Sequence, residues 1–555
     1  MKKTIERYVL QNFSKYGEAT PNSVLGKVLG EKPELKKKVK EVLVTIEKTI
    51  KEIKKWNKDK QEKKFKEYAK TIKTKEKETV GIREFRELPE LKNVGKKPIF
   101  RIEIGPSGML HIGHIITILL NSEYAKKYKG KFILRISDTN PDNIEPTAYK
   151  AVVEDTKWIT EDKVDEIIIQ SDNMDLYYLH AKTLIDMNKA YICTCATEFF
   201  REKTTKKEAC PCREQTKEEN LEKWNKMFTE YQQGEAVLRI KTDIRHKNPA
   251  IRDWPAFRIN DNEHPKTKKK YRVWPLMNFS VAVDDHEEGM THVIHGKDHT
   301  VNDERKTYLY KHFGWKTPEY ISIGRINFTD MKIKTSLTKE EIQKGNYEGW
   351  EDARLPFVGA FRRRGILPAA FTKYIHELGP SKVDKTVNYA IFMQAIYSYN
   401  KEFVDHSSKR YFFVEKPTKV TIKDAPTQKV TVPLHPDEPT KGQRTFVTEQ
   451  DYYINDKLEK NKMYRFMHLF NFKNKIYQSD EYDQQLHAKL IHWLPVTEEL
   501  VRVWVHMPDG TTKKGLGEKT LKKAEKHDIV QLERVGFCKI EKKEKDKIEL
   551  CYGHR

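Results

Sequence analysis

Cysteine is scarce, with 6 in 555 residues, and four of the six fall between Cys193 and Cys212. So uneven a supply excludes a disulfide-stapled secreted scaffold and fits a reducing cytoplasm. No run of about 18 apolar residues occurs, which excludes a helical membrane span. Met1-Lys-Lys-Thr-Ile-Glu6 is not followed by an apolar core, so a secretory leader is not expected. Internal repeats, long low-complexity tracts and heptads are absent, and a monomer is the expected state. What the chain has in plenty is charge. Lys+Arg 105 against Asp+Glu 82 leaves a formal net charge of +23, an excess that favours a polyanionic partner. A generally lysine-rich proteome would produce the same excess, and charge alone does not separate the two. The length suits about three or four domains.

One stretch carries the chemistry. A strand-like run, Ile99–Ile104, leads into Gly105-Pro106-Ser107-Gly108, then His111-Ile112-Gly113-His114, then an apolar-faced helix through Tyr124. Small residues let the backbone approach phosphate, and a helix start offers free N–H groups and a positive dipole end. Two histidines three positions apart share one face of the first turn. There they can donate hydrogen bonds to phosphate oxygens as charge shifts during displacement. The pattern points to a bound nucleoside triphosphate.

The segment resembles the HIGH signature of class I aminoacyl-tRNA synthetases, and its surroundings are similar to the glutamyl/glutaminyl branch. The matching motifs are Arg101-Ile-Glu-Ile-Gly-Pro-Ser-Gly108, Leu134-Arg-Ile-Ser-Asp-Thr-Asn-Pro141, Arg252-Asp-Trp-Pro255, Tyr271-Arg-Val-Trp-Pro275, Val283-Asp-Asp-His286, Gly349-Trp-Glu-Asp-Ala-Arg-Leu-Pro356 and Phe361-Arg-Arg-Arg-Gly365. Tyr8-Val-Leu-Gln-Asn12 and Gly26-Lys-Val-Leu-Gly30 resemble the extension of archaeal glutamate–tRNA ligases. The resemblance spans nearly the whole chain. It implies ATP with Mg2+, L-glutamate and a glutamate-accepting tRNA as substrates, joined through an adenylate. It also implies His111 and His114 at the phosphates, beside Gly105, Pro106, Ser107, Gly108 and Gly113, with Gly296-Lys297-Asp298 near the ribose.

The expected fold class is multidomain α/β plus all-β: a Rossmann-type parallel sheet with an inserted acceptor-binding domain, a helical N-terminal extension and C-terminal β-barrels. Residues 1–98 are read as helical extension and linker, with Val39, Val42, Leu43, Ile46, Ile50 and Ile53 forming one apolar stripe and Lys58–Lys77 solvated. Residues 99–190 and 279–345 are the two halves of the catalytic sheet, with strands at Ile99–Ile104, Phe132–Ile136, Glu166–Ile169, His292–Ile294 and Tyr320–Ile323. Residues 191–278 form the insertion, and 346–405 a helical stem-contact region. From 406 to 555 short alternating runs such as Tyr411–Val414, Lys419–Ile422, Lys429–Val432, Leu500–His506 and Ile548–Tyr552 imply β structure. By resemblance these are the paired barrels that read the anticodon. Arg362-Arg363-Arg364 and Lys268-Lys269-Lys270 are candidate RNA contacts.

Cys193-Thr-Cys195 and Cys210-Pro-Cys212 are two Cys-x-Cys knuckles. Four thiolates from two knuckles close a tetrahedral zinc site with no open position, a structural staple for a small insertion. Unliganded thiols, or disulfides in an oxidising compartment, are the alternatives. Cys538 and Cys551 stand apart as ordinary barrel residues.

Four positions depart from the resembled pattern. The mobile lysine-serine loop falls at Lys334-Thr335-Ser336-Leu337, with Leu337 where its second lysine is expected; Lys334 and Ser336 are the candidate catalytic residues, and Lys334 or Lys339 the candidate phosphate cation. His295 stands where an arginine holds the substrate side-chain carboxylate, and Met277 where a tyrosine lines the pocket. Ser137 stands where an acidic residue holds the substrate ammonium, and Glu103 is the candidate to supply that charge, beside Arg101. A buried carboxylate that loses its guanidinium is destabilised by about 3–5 kcal/mol, which is hundreds-fold in affinity. Retained glutamate specificity through compensating changes, a switch to glutamine or another neutral amino acid, and an inactive tRNA-binding paralogue are therefore the three readings.

Overall fold

The computed structural model describes residues 2–16, 19–32, 35, 38–69, 85–331, 334–497 and 499–555. They form two compact units, residues 1–83 and 84–555.

In the first unit four helices, α1 (Lys2–Tyr16), α2 (Pro21–Glu31), α3 (Val39–Lys54) and α4 (Lys58–Ala69), surround one apolar cluster. Val42, Ile46, Thr49 and Ile53, spaced one turn apart, are the buried face of α3. Thr20 and Ser23 exchange hydrogen bonds in a capping box that starts α2. Over Lys58–Ala69 the expected helix is present, α4, but the expectation that it is solvated needs correction at two positions, Phe65 and Tyr68, which pack partly buried onto the cluster. Two aromatic side chains outweigh the polar remainder, because each removes a large apolar area from water. Residues 70–77 lie outside the described residues.

In the second unit the strands before the β-rich end are β1 (Ile99–Ile104), β2 (Lys131–Ile136), β3 (Glu166–Ile169), β4 (Ala190–Cys193), β5 (Val237–Ile240), β6 (Pro255–Ile259), β7 (Val273–Pro275), β8 (His292–Gly296) and β9 (Glu319–Ile323), with a further parallel pair, β10 (Ile326–Phe328) and β11 (Lys385–Val387). A five-stranded sheet runs in the order β3-β2-β1-β8-β9, all parallel. The inner strand β2 is almost wholly buried, while the edge strands β3 and β9 are only partly so. The order reverses direction between β1 and β8, and in open parallel sheets a crevice opens at the carboxyl ends of such strands. Helix α5 (Ile112–Lys127) follows β1 into this crevice, and its stretch from Ile118 to Ala125 is buried on every side. Asn121, buried in it, pins α5 to β8 by donating to the Ile294 carbonyl at 2.9 Å and accepting from the Ile294 N–H at 3.3 Å.

β4 to β7 form a separate antiparallel sheet between the two halves of the parallel one. Three helices at Val358–Arg363, Pro368–Leu378 and Tyr389–Val404 follow. Beyond Arg410 the chain is β-rich, with one seven-stranded sheet and three smaller ones. Two cores result, one around Phe412, Phe466 and Trp493, the other around Val503, Ile540 and Leu550. Cys538 and Cys551 are buried on strands of the second core.

Arg362-Arg363-Arg364 is not a free basic patch. Arg362 sits 3.1 Å from Glu351, Arg363 pairs with Glu541 and with Glu348 at 2.9 Å, and buried Arg364 donates to the Gly553 carbonyl and Tyr397 hydroxyl, both at 2.6 Å. Arg363 and Arg364 fasten the helical segment to the last two β strands, Gly536–Lys543 and Lys547–His554, whereas Arg362 stays about one-third exposed. Lys268, by contrast, is exposed, 3.5 Å from Glu263.

Candidate active site

His111 is the N-cap of α5 and His114 its third residue, and the two share a reciprocal cap. The Gly113 N–H donates to His111 Nδ1 at 3.1 Å, and the His111 N–H donates to His114 Nδ1 at 3.2 Å. Each imidazole therefore accepts at Nδ1, and in the neutral ring the proton must sit on Nε2. The rings stack at 3.9 Å between centroids. Burial lowers their pKa values to about 4 for His111 and about 3 for His114, so both are neutral near pH 7. The result is a pair of Nε2–H donors at a helix start whose tautomers the backbone sets. A Cβ on Gly113 would approach the His111 ring to 3.0 Å, so the glycine makes room for the stack. Pro356 and Val358 bond the backbone of Ile112 and Leu110, clamping this turn against the Gly349–Pro356 motif.

Beside it lies a cavity of about 600 Å³. Among the residues expected at the site, Arg101, Glu103, Gly105, Gly113, His114, Ser137, Met277, His295 and Gly296 line it. Its floor is a buried charge cluster. Arg101 grips Asp285 with two hydrogen bonds of 2.7 and 2.9 Å, and Arg135 donates to the same carboxylate at 2.7 Å. Burial alone would raise the Asp285 pKa, but the two guanidiniums hold it well below the ordinary carboxylate range. Glu288, 2.5 Å from Arg135, is pushed by burial up to about 7 in spite of that partner. Arg101 thus has its fork occupied, with one further nitrogen 3.5 Å from Glu103. Ser137 donates to Gln170 at 2.7 Å, and Gln170 donates to Asp284.

His295 Nε2 lies 2.9 Å from Asp303. Burial lowers its pKa below the ordinary value, although Asp303 opposes the shift. Facing a carboxylate, which only accepts, the neutral ring donates from Nε2. Met277, 38% exposed, opens helix α10 (Met277–Glu287) at the rim. Sequence reasoning missed Arg258, Asn278, Asn302 and Lys306, which also line the cavity. The available signal for Lys306 was a lysine three residues after Asp303 on the inner face of helix α11 (Thr300–Phe313; the helices between α5 and α10 are α6, Ala148–Ile159; α7, Met174–Asp186; α8, Thr197–Thr205; α9, Lys217–Thr229).

The other expected residues lie outside the cavity lining. Lys297 pairs with Asp384 at 2.7 Å, and Asp298 with Arg325 at 2.5 Å. Lys334 is exposed and precedes a helix at Thr335–Gln343, which carries Ser336 and Leu337, both exposed. Gly108 ties that loop to the phosphate turn: a Cβ there would meet Thr335 Cγ2 at 2.1 Å. Lys339 pairs with Glu145, whose N–H donates to the Pro106 carbonyl at 2.8 Å. Its ammonium is therefore engaged, and Lys334 is left as the cation of this loop without a carboxylate partner among the described residues.

Cys193, Cys195, Cys210 and Cys212 converge, with their sulfur atoms all within 4.8 Å of one another. Cys193 and Cys210 are 3.9 Å apart, and Cys195 and Cys212 are 3.5 Å apart. A tetrahedral zinc with bonds of about 2.3 Å spaces its sulfurs by about 3.8 Å, so the four thiols fit that ion. Around them, Asp253 accepts from the Tyr191 hydroxyl at 3.0 Å and from Arg213 at 2.8 Å, packing the knuckles onto β4.

Three family models match. That of the "tRNA synthetases class I (E and Q), catalytic domain" covers residues 100–404, and two of the corresponding "anti-codon binding domain" cover 408–491 and 490–541. The chain is 44% identical over 567 aligned residues to a glutamate–tRNA ligase of Methanocaldococcus jannaschii, covering all of both chains. It is 41% identical to one of Methanococcus maripaludis strain C6, over all of this chain and 99% of that one. It is 40% identical to one of Methanosphaera stadtmanae, over the whole of each.

Proposed function

The chain belongs to the class I tRNA synthetases of the E and Q family, and from that membership we propose that it joins L-glutamate to a glutamate-accepting tRNA at the expense of ATP. In the first step a glutamate carboxylate oxygen attacks the α-phosphorus of Mg2+-bound ATP, and pyrophosphate leaves. In the second a terminal ribose hydroxyl of the tRNA attacks the acyl carbon, its proton is lost, and AMP leaves with the bonding electron pair. Little covalent chemistry falls to the protein, which positions the reactants and stabilises charge on phosphate.

The observation that carries this reading is the imidazole pair. Two Nε2–H donors, fixed in tautomer and neutral, stand at a helix N-terminus beside a cavity that holds both a carboxylate and cations. Such donors stabilise phosphate oxygens without repelling each other, as two stacked imidazoliums would. Glu103 is the group for the substrate ammonium, and Lys334, on the loop against Gly108, is the group for the departing phosphates. The full-length relatives bear the glutamate name, which supports glutamate over a neutral amino acid. The four thiols would hold a structural zinc that fastens the insertion. A cytoplasmic, monomeric enzyme completes the proposal.

The test is pyrophosphate exchange into ATP with purified protein. Exchange should require both tRNA and glutamate, and His111→Ala should abolish it. No glutamate incorporated into cognate tRNA at saturating glutamate would refute the substrate assignment.

A further inference from the structure

A glutamate bound in this cavity brings a side-chain carboxylate away from bulk water, and such a charge needs a cation with free donors. Three cationic side chains other than histidine line the cavity: Arg101, Arg258 and Lys306. Arg101 spends its fork on Asp285. Arg258 is bonded to Asn140, lies 3.3 Å from Asp142 and is one-third exposed. Lys306 differs from both. Its side chain is 4% exposed, its ammonium lies 3.2 Å from Asp303 and 4.4 Å over the Tyr320 ring, and Asp303 is its one carboxylate neighbour within 4 Å among the described residues. An ammonium has three donors, and none of them is spent in a hydrogen bond to the nearer Asp303 oxygen.

Asp303 also receives the His295 imidazole at 2.9 Å on its other oxygen. His295 thus bonds one oxygen of that carboxylate, the Lys306 ammonium stands 3.2 Å from the other as an ion pair, and both residues line the cavity. Position 295 is where a guanidinium was expected and a neutral ring is found.

We propose that Lys306 is the specificity-determining residue for the substrate side chain, its ammonium taking the place of the guanidinium missing at position 295 and Asp303 holding it there. This rests on the glutamate reading above. It explains how a chain with His295 keeps a carboxylate substrate: the charge has moved from the strand end to the neighbouring helix α11.

The full chain would be assayed by tRNA-dependent pyrophosphate exchange with L-glutamate and L-glutamine as probes, as wild type, Lys306→Met, and Lys306→Met combined with His295→Arg. In Lys306→Met the KM for glutamate should rise on the order of a hundredfold, with the preference for glutamate over glutamine falling in proportion. Adding His295→Arg should recover at least about tenfold of that loss. A glutamate KM within about threefold of wild type in Lys306→Met would overturn the proposal. So would a parallel loss for both amino acids with no recovery in the double variant, which marks a merely structural lysine. Wild-type protein that fails to activate glutamate at all would instead overturn the parent reading.

Discussion

The two imidazoles make a double dissociation possible. Each ring uses Nδ1 to accept a backbone N–H, which leaves Nε2–H as its free donor; His114 lines the cavity and the His111 ring is stacked on it. At position 111 an asparagine amide can reproduce the Nδ1 contact but not the outer donor, whereas a glutamine amide reaches the Nε2 position and gives up the cap. His111→Asn should therefore fold with wild-type stability, since asparagine is a good N-cap, and lose about a hundred- to a thousandfold in exchange rate, the usual contribution of one such donor. His111→Gln should lose about 1 kcal/mol of stability with the cap and keep more activity than the asparagine variant. Urea unfolding and steady-state exchange, measured on the same preparations, give both readouts. Because burial holds the rings to about 4 and about 3, the ratio of wild-type to His111→Asn activity should stay flat from about pH 8 to about pH 5.5, well above those values. An asparagine variant as active as the glutamine one, or a ratio that collapses near pH 6.5, would refute the neutral-donor assignment.

Three further outcomes follow from the same structure. Asp285→Asn leaves Arg101 and Arg135 buried without their shared carboxylate, and the urea midpoint should fall by the equivalent of about 3–5 kcal/mol; since the folded pKa of Asp285 is depressed, this stability is present above the ordinary carboxylate pKa and is lost as pH falls toward the folded one, so a loss below about 1 kcal/mol at pH 7 would contradict it. Elemental analysis should find about one zinc per chain, absent from Cys210→Ala, and limited proteolysis of that variant should cut first within the insertion; an unchanged digest would remove the staple. Arg364→Ala should lower stability by about 1–3 kcal/mol through the orphaned Tyr397 and Gly553 acceptors, while the salt dependence of tRNA binding stays as it was; the opposite pattern would return the triplet to RNA contact.

Local pattern made much of this legible. Ile99–Ile104 and Glu166–Ile169 are strands with the bounds the sequence predicts, because short β-branched runs favour extended backbone even where Arg101 and Glu103 interrupt the first and the second lies at the sheet edge. The Val42–Ile53 stripe and the β texture after Arg410 were likewise readable, being repeats of short period, and the spacing of the cysteine knuckles announced a cluster whose four sulfurs do converge. Lys58–Lys77 misled because two aromatics among many lysines contribute little to average polarity and much to burial.

What the sequence alone determined was the order of elements and the chemistry available to them: a strand, a glycine turn, and histidines three apart at a helix start. Only the tertiary structure decided how that chemistry is spent. Proton position on each ring depends on which backbone N–H reaches it; whether Arg101 has donors to spare depends on Asp285, 184 residues away in the chain, and whether Lys306 meets a substrate depends on which way helix α11 turns the Asp303–Lys306 pair. Charges that are remote in sequence settle one another's partners only when folding removes the water between them.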